Sequence, residues 1–226
     1  MDFSFSRMNG GGYPVFVGLP GLILSALLLY SSAALAERLP QECGSLANHY
    51  GPYDYSNPTH RSRYLPIVEK HHFSKDVFAL RKPGDSGTIG EDIAYTLHTF
   101  PNHHRALDAM SRLSIREGRA TPSRARYTID CYFQRAIEWR PKDADARMVY
   151  GLHHYRSGRL DAAIDQMREG VRISPNHAEL QYNLGLLLVR KQDYSAALEH
   201  AKKAYGLGYP LPGLRNQLER LGEWSE

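Results

Sequence analysis

Residues 144–176 read ADARMVYGLHHYRSGRLDAAIDQMREGVRISPN, and residues 178–209 read AELQYNLGLLLVRKQDYSAALEHAKKAYGLGY. The second stretch repeats the first with a period of 34 residues. Gly151 recurs as Gly185, Ala163 as Ala197 and Gly170 as Ala204, while Tyr150 becomes Leu184 and Leu160 becomes Tyr194. A period of this length marks a helix–turn–helix array. One such unit cannot bury its own apolar face and must stack on neighbours, and the stack generates an extended surface suited to binding. The pattern therefore points to recognition before chemistry.

These two segments resemble the tetratricopeptide repeat. That family sets a small residue midway along its first helix, where Gly151 and Gly185 sit. It sets alanine early in the second helix, at Ala163 and Ala197, and another small residue later, at Gly170 and Ala204. A closing proline corresponds to Pro175 and, one residue late, to Pro210. Small residues let helix backbones approach while larger apolar residues fill the spaces between them. The tryptophan often found in the first helix is absent, its place taken by Arg147 and Gln181.

A more degenerate copy lies upstream. Pro101-Asn102-His103 parallels Pro175-Asn176-His177, which aligns Met110 with Leu184 and Ser111 with Gly185. Counting back from Pro141 aligns Phe133 with Met167 and Ala136 with Gly170. The two alignments are out of step, as a longer inter-helix loop around Glu117–Ser123 would make them. The resemblance thus implies an all-α, helix-hairpin solenoid of about three repeats (104–143, 144–177 and 178–211) within residues 101–211. Three is about the smallest stable number. Leu214, Leu218 and Leu221 follow Pro210-Leu211-Pro212-Gly213 at helical spacing, so residues 212–226 are expected to form a C-terminal capping helix.

Residues 37–100 are expected to be an irregular, partly helical N-terminal cap. Gly51-Pro52, Asn57-Pro58 and several tyrosines mark residues 49–58 as turn-rich, packing over the end of the solenoid or binding a ligand. Ser74 is a good N-cap for a short helix reaching about Arg81, and Glu91–Phe100 has a helical apolar side. Residues 65–100 as a whole read as a half-converted repeat.

Residues 14–36 carry no charge, and Ala34-Leu35-Ala36 precedes Glu37-Arg38. An apolar run with a small-residue exit has the order of a secretory signal peptide over residues 1–36. The same stretch is long enough for an uncleaved membrane anchor. Both readings place the repeats outside the cytoplasm, periplasmic or secreted in the first case and anchored to the inner membrane in the second. An exported chain gives Cys43 and Cys131 an oxidising environment in which to pair, and two separate thiols are the alternative. No C-x-x-C is present to suggest thiol exchange.

The formal net charge is +4, with basic residues spread along the chain. Nucleic-acid binding asks for a clustered basic stripe, so no nucleic-acid partner is expected. No G-x-S-x-G, H-E-x-x-H or phosphate loop occurs, and acids such as Glu42, Asp54, Asp92 and Asp108 lack a spacing that implies acid–base work. No catalytic residue, cofactor or small-molecule substrate is assigned. The chain has 11 histidines, including pairs at 71–72, 103–104 and 153–154. Neighbours on a helix diverge by about 100°. His71, His98 and His103 meet Glu69 only if the tertiary fold gathers them, so no metal ligand set is assigned. Histidine-based metal binding stands as the alternative of a different class.

In the family, the first helix of each repeat lines the groove. The resemblance carries that role to Arg105, Asp108, Arg112 and Ile115 in the first repeat, Asp145, Met148, Leu152 and Tyr155 in the second, and Glu179, Tyr182, Leu186 and Val189 in the third. Tyr155 and Tyr182 are the candidate anchors for a partner side chain. Arg116, Arg156 and Arg190 recur in register, as helix-dipole partners or as contacts for an acidic ligand. The chain is similar to exported bacterial tetratricopeptide proteins of unassigned role. That similarity implies a non-enzymatic scaffold binding a protein or peptide in the envelope, or an accessory subunit of a secretion, pilus or polysaccharide-export machine.

Overall fold

The computed structural model describes residues 39–225. The predicted signal or anchor at 1–36 lies outside them. The described residues are all-α, and Glu37–Glu226 form one compact unit. A short 3-10 turn, Gln41–Cys43, comes first. Helices α1 (Pro58–Arg63), α2 (Leu65–His72), α3 (Lys75–Phe78) and α4 (Ile89–Thr99) follow. The array then runs α5 (His104–Glu117), α6 (Ile129–Trp139), α7 (Ala144–Arg156), α8 (Leu160–Ile173), α9 (Ala178–Arg190) and α10 (Tyr194–Gly206), with α11 (Gly213–Leu221) at the end.

Every repeat helix except α8 begins at a side chain that accepts from one of its unpaired N–H groups. The first helices share one device: the side chains of His103, Asp143 and His177 accept from Ala106, Ala146 and Leu180 N–H, respectively. Asp193 caps α10 in the same way. In the hairpin α7–α8 a Cβ on Gly151 would lie 3.1 Å from the Ala163 carbonyl oxygen. In the hairpin α9–α10 a Cβ on Gly185 would lie 3.4 Å from the Ala197 carbonyl oxygen and 2.5 Å from Leu214 Cδ2. Glycine here brings the two helices together and, in the last repeat, admits the capping helix as well. Ala163, Ala197 and Ala204 are fully buried, and Gly170 receives Leu180 of the next repeat.

Two cores meet along α7. The upstream core joins Phe73, Val77, Ile93 and Leu97 to Leu107, Met110 and Phe133. The downstream core joins Met167, Leu180, Leu184 and Leu188 to Leu214 and Leu218. A smaller cluster sets Leu65, Val68 and Phe100 against Tyr50, Tyr53, Tyr55 and Tyr64, with Tyr53 and Tyr64 stacked at 3.9 Å. The turn-rich tyrosines thus pack over the start of the array. Of the expected capping stripe, Leu214 and Leu218 are buried and Leu221 is 47% exposed.

The N-terminal segment is tied down covalently and by charge. Cys43 and Cys131 form a disulfide. Arg135, buried on α6, donates from Nη1 to the carbonyls of Cys43 and Ser45, each at 2.8 Å. Its guanidinium stacks over Tyr127. The long loop between α5 and α6 runs 118–128, against 157–159 and 191–193 in the other hairpins. The helix expected to reach Arg81 stops at Phe78, because Leu80 turns into the left-handed region at φ 57.

Candidate functional site

The row of first helices, α5, α7 and α9, contains the positions expected to line a groove, and its two ends differ. At the upstream end the face is covered by the chain's own cap. Around the turn at Leu80 the carbonyls of residues 78 and 80 meet α5: Arg112 Nη2 donates to Phe78 O and Arg116 Nη1 to Leu80 O, both at 2.8 Å. The Phe78 ring takes the guanidinium groups of Arg105 and Arg112 at 4.5 and 4.8 Å. Asp108 is shared between Arg112 and Arg156, at 2.9 and 2.6 Å. The expected open, charged upstream end is therefore internally neutralised. Arg105 and Arg112 hold the N-terminal cap through the Phe78 ring and Asp108 braces Arg112, while Arg105 and Ile115 keep an exposed side.

The downstream end also departs from expectation, in two residues. Tyr182 is only 7% exposed, stacks near Tyr209 with ring centroids 4.4 Å apart, and puts its hydroxyl against Gly213. A further repeat would leave this face open. Here α11 folds over it, so Tyr182 is a core residue and not a groove anchor. Met148 is likewise buried, with Asn183 Nδ2 3.6 Å from its sulfur. Glu179 is exposed.

Between these covered ends lies an open stretch. Leu152, Tyr155, Asn183, Leu186, Leu187, Arg190 and Gln217 line a cavity of about 150 Å³. Tyr155, 38% exposed, stands at its edge. A second hollow of about 500 Å³ shares Arg190 and Gln217 and adds Val189, Gln192, Tyr194, Arg220 and Leu221. Neither Arg190 nor Arg220 forms an ion pair among the described residues. The sequence singled out Leu152, Tyr155, Leu186 and Val189, which the fold brings to this stretch. It missed Asn183, Gln217 and Arg220, because only the path of α11 brings that helix back across α9.

The histidines do not gather into one site. His103 Nε2 meets Glu69 at 3.2 Å, His71 meets Asp85 at 2.7 Å, and His98 sits apart between Tyr127 and Tyr132. Burial, reinforced by Arg135 and Arg126, pushes His98 down to about 4. Burial likewise pushes His153 down to about 4, where Arg159 donates to Nε2 and the Nδ1 proton faces Ser111 Oγ. Asp92, His72 and Ser86 come together, but Asp92 Oδ1 and Ser86 Oγ both address His72 Nδ1, at 2.9 and 3.1 Å. A nucleophile relay needs the serine and the acid on opposite ring nitrogens. Asp92 also accepts from Gly84 and Ser86 N–H, so this group ties down the loop before α4.

Another group forms where the N-termini of α5, α7 and α9 lie along one edge. His104 Nε2 is 2.9 and 3.0 Å from the two oxygens of Asp143, and His177 Nε2 is 3.0 Å from Asp145 Oδ1. The hydrogen bond from His177 holds the Asp145 carboxyl below its ordinary range, and Asp145 in turn raises His177. Among the described residues, His104, Asp143 and Asp145 are the one His, Cys, Asp or Glu set of three with ligand atoms all within 4.8 Å. Asp143 and Asp145 border a cleft of about 660 Å³ lined also by Ser56, Arg140, Lys142, Ile173 and His177.

The tetratricopeptide-repeat family model matches residues 131–178 and 171–210, beginning on α6 and ending just past α10. No curated protein matches the sequence. Among solved structures, a chain titled "MamA RS-1 ArsTM double mutant" is 22% identical with a TM-score of 0.40, the match covering 53% of this chain and 64% of that one.

Proposed function

We propose that this tetratricopeptide-repeat protein is a non-enzymatic scaffold that holds an extended or helical peptide segment of a protein partner across α7, α9 and α11. The observation that carries this reading is the hollow bounded by Leu152, Tyr155, Leu186 and Arg190. It is an apolar seat with an exposed aromatic at one side and, at the other, the guanidinium groups of Arg190 and Arg220, which form no ion pair among the described residues. Aromatic and arginine side chains at the centre of a small pocket are the usual anchors of an interface. An aliphatic or aromatic side chain fits the Leu152–Leu186 floor, and a carboxylate one or two residues away fits Arg190 or Arg220. The covered upstream face leaves a short site, suited to a few residues of peptide.

An oxidising compartment outside the cytoplasm fits the Cys43–Cys131 bond. Export by the apolar N-terminal stretch, as a cleaved signal or a retained anchor, completes this reading and would put the partner in the bacterial envelope, where a secretion, pilus or polysaccharide-export machine is one setting. Among the described residues no helix is long and apolar enough to cross a membrane.

The test is a random peptide array probed with the full chain. Selected sequences should pair an aliphatic or aromatic residue with a nearby Asp or Glu. Their binding should fall by about tenfold or more in Tyr155→Ala and in Arg190→Glu, as for residues at an interface centre. Selection of sequences that bind both variants as well as the native chain would overturn the reading.

A further inference from the structure

The helix-edge group of His104, Asp143 and Asp145 has a geometry that peptide binding on the opposite face does not use. His104 is the first residue of α5, while Asp143 and Asp145 flank the start of α7. Equivalent positions in successive repeats come level, which brings one imidazole against two carboxylates. Both carboxylates are held from behind. Asp143 accepts from Ala146 N–H at 2.9 Å and from Asn102 Nδ2 at 2.8 Å, and Asn102 is itself fixed by Asp54 at 2.9 Å. Asp145 is held by His177. Outer partners of this kind orient metal ligands and set their affinity.

The histidines along this edge differ in the nitrogen left for a ligand. His103 and His177 accept a backbone N–H at Nδ1, from Ala106 and Leu180, so each carries its proton on Nε2, facing Glu69 and Asp145. Ligation through Nε2 would move that proton onto Nδ1 and break a helix cap. His104 has no such duty: its Nδ1 forms no hydrogen bond among the described residues. Its proton is free to move to Nδ1, leaving the Nε2 lone pair directed at Asp143.

We propose that His104 Nε2, with one oxygen each from Asp143 and Asp145, binds a divalent transition cation of the zinc class, and that water from the adjoining cleft completes its coordination. One nitrogen and two carboxylate oxygens suit zinc, which takes mixed ligands in open sites. Magnesium and calcium favour oxygen alone. The two carboxylates outweigh the positive end of the α7 dipole and balance the charge of the ion. His177 acts behind Asp145 as a positioning residue. This site was not assigned from the sequence, because His104 and Asp143 are 39 positions apart and only the stacking of repeats brings them together.

The test uses the full chain, stripped of metal and dialysed against zinc at pH 7.5, beside His104→Ala, Asp145→Asn and His71→Ala. Neither His104 nor Asp145 caps a helix, so far-UV circular dichroism should be unchanged in all three. The native chain should take up one zinc. Each of the first two variants should bind at least about tenfold more weakly, the scale seen when even outer partners of a metal are removed. The His71 variant, which alters a solvent-facing histidine paired to Asp85, should match the native chain. Cobalt in place of zinc should give visible absorption bands that are lost in His104→Ala. The proposal is overturned if zinc uptake does not saturate near one equivalent, or if His104→Ala and Asp145→Asn bind as the native chain does.

Discussion

The two halves of the molecule solve the same packing problem by different means. From α7 to α10 helices stack through small residues, with Gly151 against Ala163, Gly185 against Ala197 and Leu180 against Gly170. Little beyond shape is needed there, and the rule repeats every 34 residues. From residue 39 to α6 the same kind of core is closed by individual bonds: a disulfide, Arg135 on two backbone carbonyls, Arg112 and Arg116 on two more, and stacked tyrosines. The repeat half is a surface that continues by translation, whereas the cap half is a surface brought to a stop. On the proposed reading, the stretch left for a partner is the short one between the cap and α11.

The largest break in this comparison should come from the disulfide. Replacing Cys43 and Cys131 by serine opens a closure spanning 88 residues, worth about 4.6 kcal/mol at most in the chain-entropy account. The loss should fall mainly on the cap. In hydrogen exchange, residues 39–100 should lose protection first and α7–α10 should keep most of theirs. Equal loss in both halves would show that they unfold as one and that the contrast in construction has no energetic counterpart.

Arg135→Leu is the next test of the cap. It keeps bulk on α6 but leaves the Cys43 and Ser45 carbonyls without their donor, which should cost about 1–3 kcal/mol in urea unfolding. The matching test in the repeat half is Gly185→Ala. Its added Cβ would press on Leu214, and overpacking of this sort costs about 1–3 kcal/mol. Because Leu214 belongs to α11, this change should loosen α11 and leave the cap as it was.

A pH response comes from both halves. His98 and His153 are neutral in the folded state down to about pH 4, whereas the unfolded imidazoles take up protons near 6.5. Between those values the unfolded chain binds more protons, so stability is fully present above pH 6.5 and declines as pH falls towards 4. His98→Phe should reduce that slope, because the ring sits among Tyr127 and Tyr132 and its Nε2 has no hydrogen-bond partner among the described residues. Urea midpoints at pH 7 and pH 5 give the comparison, and an unchanged difference in the variant would count against this origin. The smallest effect is expected from Leu221→Ser, within about 0.5 kcal/mol, since this leucine projects from the capping helix into solvent.

The sequence made the repeat half readable because its rule is periodic: Gly151 and Gly185, Ala163 and Ala197 state it twice. Leu214 and Leu218 likewise announced a helix with one buried side. The cap half was harder to read because its decisive features are single events. Nothing in a local pattern shows that Leu80 will adopt φ 57, yet around that turn two carbonyls reach Arg112 and Arg116 of α5. Asn57 and Pro58 were legible as a turn, but together they also cap and start α1. Tyr182 was misplaced for a related reason. A repeat rule assumes a following repeat, and here α11 with Tyr209 closes over the ring. The edge group of His104, Asp143 and Asp145 was hidden because its members stand at the starts of α5 and α7, which only helix stacking brings level.

The central claim is that the partner site lies in the uncovered stretch and not on the covered one. The most direct measurement is the affinity of one array-selected peptide for three chains: native, Tyr155→Ala and Arg105→Ala. Fluorescence anisotropy should show a loss of about tenfold or more for Tyr155→Ala and a change within about twofold for Arg105→Ala, whose side chain is occupied by Phe78. Loss in Arg105→Ala with native affinity in Tyr155→Ala would contradict the claim. It would mean that the partner displaces the cap and binds the face that the cap now covers.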